Sequence, residues 1–540
     1  MKKILNVSIL VFLLVAFMPR IVSGLGTPPP DSTKTIVVAG SSVAAGWVTS
    51  YEAKYDMQNG YVARLARELA PAGWKVTNKS RPGFTTSDVL ASWSQYTDPR
   101  PDYLFIGLSM ANEGLSSQNT DTVFNRFRRG LKAIISRCNR DGIKPVVGLC
   151  YANNDYSDTH HDCIRRMNAT INSWSVPCVN FLGPLNNGHG QFPEGLTFDA
   201  GHPDNRGHEE LFLAIPPSMF DAMESGRKLP DMNSFQTPAA ITPKPLKSNL
   251  MLVPSDVIHS FAFSFFVSSL HPSRLATIEH AQGVFTLLVN PEGKAELVKN
   301  DTVVFEFKSF DLKKQHHFLI NQNYVNQQVE WWFDGKPAYT LHQQIEPVCF
   351  AVNTSEKGLG IYNVLLYRAS LHPDEIKAVL SGVPPQASLE YAAMSPKAEG
   401  ESNLMANMAL SEVEATLDAQ SKEKKIRILK QKMEAARKAR QSELFFPPKK
   451  PIEATPERWG KFAGKYQIAE NDFFEITLEQ SKLFMEDRGN KAQLLPESAS
   501  KFFIHYPADL TVEFVENAEG GVLELIFSMN GREMRAKKVP

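Results

Sequence analysis

The chain has little cysteine: five residues in 540, namely Cys138, Cys150, Cys163, Cys178 and Cys349. A count that small and odd excludes a disulfide-stapled scaffold. Four of the five fall between positions 138 and 178. One or two bridges there would suit an oxidising compartment, and small buried residues are the plainer reading. Net charge is also missing, because 58 Lys and Arg balance 58 Asp and Glu. No long basic stretch lies within the first 230 residues, so nucleic acid is not expected as the main partner. After the first two dozen residues no run is apolar enough to cross a membrane, so no transmembrane segment is expected.

What is present points to several folded units. A chain of 540 residues is too long for one core, and about three units are expected. With 43% hydrophobic and 21% charged residues it falls in the ordinary globular class. Residues 1–24 read as a cleavable signal peptide, which implies a secreted or periplasmic protein. Lys2 and Lys3 precede an apolar run over 4–17, and Val22-Ser23-Gly24 offers small residues for cleavage. No cysteine follows the run, so a lipoprotein anchor is not indicated.

Residues 25–230 alternate short apolar strands with amphipathic helices. Strands are expected at 36–39, 74–77, 103–107, 144–149 and 178–181. Helices are expected at 61–69, 123–135 and 162–174, with a last one at about 207–224. Such alternation predicts a parallel sheet covered on both faces. Ligands of such sheets bind beyond the carboxyl ends of the strands. The chain places its polar and glycine residues there. Ser42 follows the first strand, and Asn78-Lys79-Ser80-Arg81-Pro82-Gly83 the second. Ser109-Met110-Ala111-Asn112-Glu113 follows the third, Tyr151-Ala152-Asn153-Asn154 the fourth, and Asp199 with His202 the last.

Downstream the texture changes three times. Residues 231–248, with Pro238, Pro243 and Pro245, read as a linker. Residues 249–385 hold many short alternating runs separated by turns such as Asn290-Pro291-Glu292-Gly293, which predicts an all-β sandwich. Residues 386–455 are dense in Glu, Lys, Arg and Ala, with Leu429 and Met433 on a patchy stripe. They read as a charged, solvated helical linker, with a coiled coil as the other reading. Residues 456–540 return to short strands and turns, as in a small antiparallel barrel or meander.

Ester cleavage needs a nucleophile, a base, a group that orients the base, and donors for the oxyanion. Ser42, in a turn of small residues after the first strand, is the candidate nucleophile. His202 is the candidate base. Asp199, three residues earlier, could reach the other ring nitrogen. The oxyanion donors would be the backbone N–H of Ser42, the backbone N–H of Gly83 and the side-chain amide of Asn112. Each has a plainer alternative: Gly83 as a turn glycine, Asn112 as a helix cap. His160, His161 and Cys163 could suggest a metal, but no second ligand pair has suitable spacing. A solvated helix start is the simpler reading, and no cofactor is implied. His208 is read as structural, and Asn153 and Asn154 as candidates for lining the pocket.

These blocks give residues 25–230 a resemblance to the SGNH, or GDSL-like, hydrolase family. The family has a nucleophilic Ser after the first strand, an oxyanion Gly, an oxyanion Asn and a late Asp-x-x-His. Ser42, Gly83, Asn112 and Asp199 with His202 match in that order. Two blocks depart from the pattern. Gly40-Ser41-Ser42 stands for Gly-Asp-Ser, and Ala111-Asn112-Glu113 stands for x-Asn-Asp. Ser41 is a rival nucleophile, but Ser42 keeps the spacing from Gly40. An α/β-hydrolase elbow would need glycine where Ala44 stands.

The resemblance implies a flavodoxin-like α/β domain and a serine esterase working through an acyl-enzyme. Residues 249–385 resemble laminin-G-like, concanavalin-type sandwiches through Trp331-Trp332-Phe333-Asp334-Gly335 and Ile361-Tyr362-Asn363-Val364. That likeness implies either a glycan ligand or a spacer role. The last segment is similar to small β domains attached to secreted serine hydrolases of the β-lactamase-like type, through Gly464-Lys465-Tyr466 and Leu494-Leu495-Pro496. The expected substrate is an acylated carbohydrate or small acyl ester. The alternative is a non-catalytic glycan-binding or adhesion protein whose first domain is inactive.

Overall fold

The computed structural model describes residues 33–47, 57–174, 176–225, 249–254, 256–269, 271–308, 310–353, 359–380, 389–393, 414–415, 419–440, 449–453, 456–470, 472–487, 490–504, 510–529 and 532–539. The expected signal peptide (1–24) and the linker at 231–248 lie outside the described residues.

Five parallel strands form the first sheet: β1 (Lys34–Gly40), β2 (Trp74–Asn78), β3 (Tyr103–Gly107), β4 (Lys144–Gly148) and β5 (Cys178–Val179). Their order is β2-β1-β3-β4-β5. The connecting helices are α1 (Ser42–Ala45), α2 (Tyr61–Leu69), α3 (Thr86–Ala91), α4 (Trp93–Thr97), α5 (Thr120–Arg140), α6 (Asp158–Asn172), α7 (Asn205–Leu213) and α8 (Met219–Glu224). All five residues of β3 are buried, as befits a central strand with helices on both faces. The single last helix expected at 207–224 is instead two helices. Pro216 and Pro217 lie between α7 and α8, and a proline without N–H cannot continue a helical ladder.

The middle β domain has two antiparallel sheets. Its strands are β6 (Leu250–Val253), β7 (Phe261–Ser269), β8 (Ser273–His280), β9 (Gly283–Val289), β10 (Ala295–Lys299), β11 (Thr302–Phe307), β12 (His316–Asn323), β13 (Gln328–Phe333), β14 (Lys336–Leu341), β15 (Pro347–Val352), β16 (Leu359–Tyr367), β17 (Leu389–Ala393) and β18 (Glu414–Ala415). One sheet runs β11-β10-β9-β8-β15-β6-β18 and the other β14-β13-β12-β7-β16-β17. Phe263, Phe265, Ile278, Leu287, Trp331 and Phe350 share one core. Trp332 is buried in a second cluster under α9 (Pro373–Leu380), with Leu319, Tyr367 and Ile376. Both indoles are therefore core, and neither offers an open platform for a sugar ring.

The segment expected to be a solvated linker behaves otherwise over its described residues. β17 and β18 join the two sheets of the middle domain. Helix α10 (Ala419–Arg440) buries Leu429 and Met433 against Val257 and Val348, with Leu213 of the first domain alongside. Its cations pair with acids of both domains: Lys422 with Glu279, Lys432 with Glu68 and Asp256, Arg437 with Glu346, and Arg440 with Glu209. A stripe too patchy for a coiled coil suffices here, because ionic contacts flank two buried apolar anchors.

The last segment is a closed eight-stranded antiparallel barrel, from Gly464–Ala469 to Arg532–Val539, in which the first strand pairs with the last. Closure leaves no free sheet edge. Tyr466, Phe474, Phe502 and Phe514 fill it.

Candidate active site

β1 ends at Gly40, in register with Gly107 at the end of β3. A Cβ on Gly40 would stand 2.3 Å from the Ala44 methyl carbon and 2.7 Å from the Gly107 carbonyl. Glycine at this position lets the one-turn helix α1 sit directly on the sheet edge. Ala45 N–H donates to Ser41 O at 2.9 Å, and Asn78 Nδ2 donates to Ala44 O at 2.8 Å. Ser42 opens this turn and is only half-buried.

On the far side of the rim, residues 197–203 form a small hairpin. Thr197 and Pro203 pair as a bridge, and Phe198 N–H donates to His202 O at 2.9 Å. Asn154 N–H donates to Ala200 O, and Gly201 N–H to Asp199 Oδ1, each at 2.8 Å. Immediately after it, Asp204 caps α7 by accepting from Arg206 N–H and Gly207 N–H. The turn is thus fixed by the fourth loop on one side and a capped helix on the other.

These two pieces bring three side chains together. His202 Nε2 lies 2.8 Å from Ser42 Oγ, and His202 Nδ1 lies 2.7 and 2.8 Å from the two oxygens of Asp199. A carboxylate only accepts, so Nδ1 carries the proton and Nε2 is left to accept the Ser42 hydroxyl. Trp47 stacks on the imidazole, with centroids 6.1 Å apart. The His202 and Asp199 side chains are 22% and 32% exposed, so the group opens to solvent on one side.

Gly83 and Asn112 occupy the neighbouring part of the same rim. Arg81 N–H donates to Gly40 O at 3.0 Å, which ties the β2–α3 loop to the base of α1. Two residues on, Gly83 is exposed and adopts φ +78°, a conformation that favours glycine. Phe84 O then accepts from Asn112 Nδ2 at 3.2 Å. That bond orients the amide and leaves it a second N–H.

Two buried residues here, both departures from the family pattern, take roles that the sequence did not show. Glu113 is 3% exposed and accepts from Thr86 N–H at 2.9 Å and Thr86 Oγ1 at 2.7 Å, two residues after Phe84. Its other oxygen pairs with Arg126 Nε on α5 at 3.0 Å. Glutamate after Asn112 therefore caps the first turn of α3 and anchors the Gly83 loop. Ser41 is buried and hydrogen-bonds the Tyr151 hydroxyl, which also meets Ser109. Burial pushes that phenol up to about 12, so it stays protonated. A hydrogen-bond network occupies the position where the family pattern has an aspartate.

The remaining candidates have structural roles. Asn153 and Asn154 brace loops through Asp155 N–H and Phe192 N–H. His208 is wholly buried and accepts from Tyr61 N–H at 3.3 Å. Among the described residues, no group of three or more His, Cys, Asp or Glu could hold a metal ion. Among them, too, no helix is long and apolar enough to cross a membrane.

Residues 38–210 match the family model of GDSL-like lipases and acylhydrolases, so this segment is a GDSL-like lipase/acylhydrolase domain. No curated protein matches the chain. Among solved structures, a lipolytic protein of the G-D-S-L family from Desulfitobacterium hafniense is similar at 17% identity. The match covers 34% of this chain and 97% of that one, with a TM-score of 0.29. An acylhydrolase structure from Bacteroides fragilis is similar at 14% identity, covering 37% and 90%, with a TM-score of 0.27. The acetylxylan esterase Axe2 from Geobacillus stearothermophilus is similar at 17% identity, covering 34% and 92%, with a TM-score of 0.26.

Proposed function

We propose that the protein is a serine esterase that hydrolyses carboxylic esters through an acyl-enzyme on Ser42. The observation that carries this reading is the continuous relay from Ser42 Oγ through His202 to Asp199, with contacts of 2.8 and 2.7 Å. His202 Nε2 takes the proton as Ser42 Oγ attacks the carbonyl carbon. The oxyanion is met by the N–H groups of Ser42 and Gly83 and by the Asn112 amide. The protonated His202, stabilised by Asp199, then gives its proton to the departing alcohol. Water attacks the acyl-enzyme in the second half, with His202 again as base. Each oxyanion donor is worth about 3 kcal/mol in such reactions.

For substrate we propose an O-acyl group on carbohydrate, with a small acyl ester as the other candidate. The family match to residues 38–210 supports acyl-ester chemistry in general. The test is turnover of p-nitrophenyl acetate by the full chain beside its Ser42→Ala variant. Loss of roughly four to six orders of magnitude in kcat is expected. Equal rates in the two proteins would leave the first domain as a non-catalytic binding module.

A further inference from the structure

A crevice of about 220 Å³ lies where the first domain meets the middle β domain. One wall comes from α6 and the loop after β5, with His161 and Asn186. The other comes from β12, β13 and the turn before α9, with Asn323, Asn326, Glu330 and His372. The two walls are held in fixed register. Asn323 Nδ2 and Asn326 Nδ2 both donate to Asn186 O, at 3.2 and 3.4 Å, and Ser370 Oγ donates to Gly183 O at 2.7 Å. A Cβ on Gly183 would come within 2.7 Å of the Ala369 methyl carbon, so the backbones meet closely here.

The chemistry of the walls is specific. Planar amides are the commonest side chains. Asn168 and Asn321 are paired at both ends with the backbone of Cys150 and Leu371, and the amides nearer the mouth can donate and accept as sugar hydroxyls do. Glu330 supplies a fixed acceptor, because Trp332 Nε1 and Gln328 Nε2 donate to its two oxygens at 3.1 and 3.0 Å. Burial, with Arg165 nearby, depresses both imidazoles, His161 to about 4, so both are neutral at pH 7. Arg165 itself faces Asp374 and Asp162 at 3.7 and 3.8 Å. An anion would meet Glu330, with Arg165 already facing two carboxylates. Leu182, Leu371 and Pro373 set apolar patches beside the polar groups, a mixture that suits the apolar faces and hydroxyl rim of a sugar ring. A neutral polyhydroxylated group satisfies what is there.

The crevice is one loop away from the catalytic rim. Asn186 faces the crevice, while Gly190 O four residues later accepts from Asn153 N–H at 2.9 Å. The adjacent Asn154 N–H is bonded to Ala200, in the turn that carries Asp199 and His202. We propose that the crevice is a carbohydrate subsite, which holds an unacylated sugar unit of an oligosaccharide while another unit presents its ester to Ser42. The inference rests on the esterase reading for its second half only.

The test uses the full-length Ser42→Ala protein on an array of neutral oligosaccharides with and without O-acetyl groups. Retention of oligosaccharides of two or more units is expected. Adding Asn326→Trp, which fills the crevice from an exposed turn, or Glu330→Gln, should weaken that binding by about tenfold. For the protein with Ser42 intact, Asn326→Trp should lower kcat/KM on a retained acetylated oligosaccharide about tenfold relative to p-nitrophenyl acetate, through KM. An array silent to Ser42→Ala, or equal binding in both crevice variants, overturns the subsite while p-nitrophenyl acetate turnover still stands. Binding that the crevice variants abolish, in a chain that turns over no ester, upholds the subsite and overturns the esterase.

Discussion

Arg440, the last residue of α10, donates from Nε to Glu209 Oε2 at 2.7 Å, across 231 positions of sequence. Glu209 lies on α7, the helix that Asp204 begins two residues after His202. The neighbouring Glu210 accepts from His259 Nδ1 of the middle domain at 2.8 Å, which places the proton on Nδ1. A helix far along the chain thus braces the element that follows the catalytic turn. Arg440→Ala leaves a carboxylate that is 6% exposed without its cation, at a cost of about 3 kcal/mol. The unfolding midpoint in urea should fall, and Arg440→Ala with Glu209→Gln should recover part of the loss. An unchanged midpoint in the single variant would show that α10 does not brace α7.

Glu113 supplies a second test. Glu113→Ala leaves the buried Thr86 N–H without an acceptor, which costs about 1–3 kcal/mol. The Gly83 loop then loses its anchor, so kcat on p-nitrophenyl acetate should fall about tenfold with less change in KM. Glu113→Gln keeps one acceptor oxygen and should retain most of the rate. Equal defects in both variants would point to the Arg126 ion pair instead.

Asp199→Asn tests the orientation of the imidazole. An amide can donate to Nδ1 and so favour the tautomer in which Nε2 carries the proton and cannot accept from Ser42. A fall of roughly 10³–10⁴-fold in kcat with little change in KM is expected in steady-state kinetics. A change of less than tenfold would remove Asp199 from the relay.

Stability should fall in mild acid. Burial holds His208 at about 3 and both His161 and His317 at about 4, against an ordinary value of 6.5. Between those values the unfolded chain binds protons that the folded chain does not. Stability is therefore complete above pH 6.5 and is lost as pH falls toward 4, by up to roughly 1.4 kcal/mol per pH unit for each imidazole. His208→Gln should cost stability at pH 7.5 and cost less at pH 5, as read by denaturant titration. A gap that does not narrow would mean that His208 titrates normally.

All five cysteines are free thiols, and burial pushes Cys138, Cys178 and Cys349 up to about 12. With so little thiolate, the native protein should react slowly with Ellman's reagent at pH 8, and denaturant should release all five. Fewer than five without reductant would reveal a bridge.

Much of the first domain could be read from local pattern. The run 35–46 writes a buried strand and a turn of small residues, and both are observed. The spacing of Asp199 and His202 within one hairpin is a short-range property, so three positions suffice to suggest it. The alternation of strand and helix also implied which ends of the strands would carry the site. The break at Pro216-Pro217 was equally local and visible in principle. Glu113 was legible only as a departure from a motif, because its partner Thr86 lies 27 positions upstream, on a helix whose orientation no local pattern states. The charges of α10 resembled a solvated face. Their partners Glu68, Asp256, Glu279, Glu346 and Glu209 are scattered over three elements and two loops.

Order along the chain was enough for the parallel sheet, the strand-rich later segments and the identity of the Ser, His and Asp on one rim. Hydrophobic period and turn chemistry act over a few residues, and those features are written at that range. The 2.8 Å approach of Ser42 to His202, the bracing by α10 and the amide-lined crevice arise only when distant segments are folded onto one another. Each depends on which surfaces meet, and no local pattern specifies that.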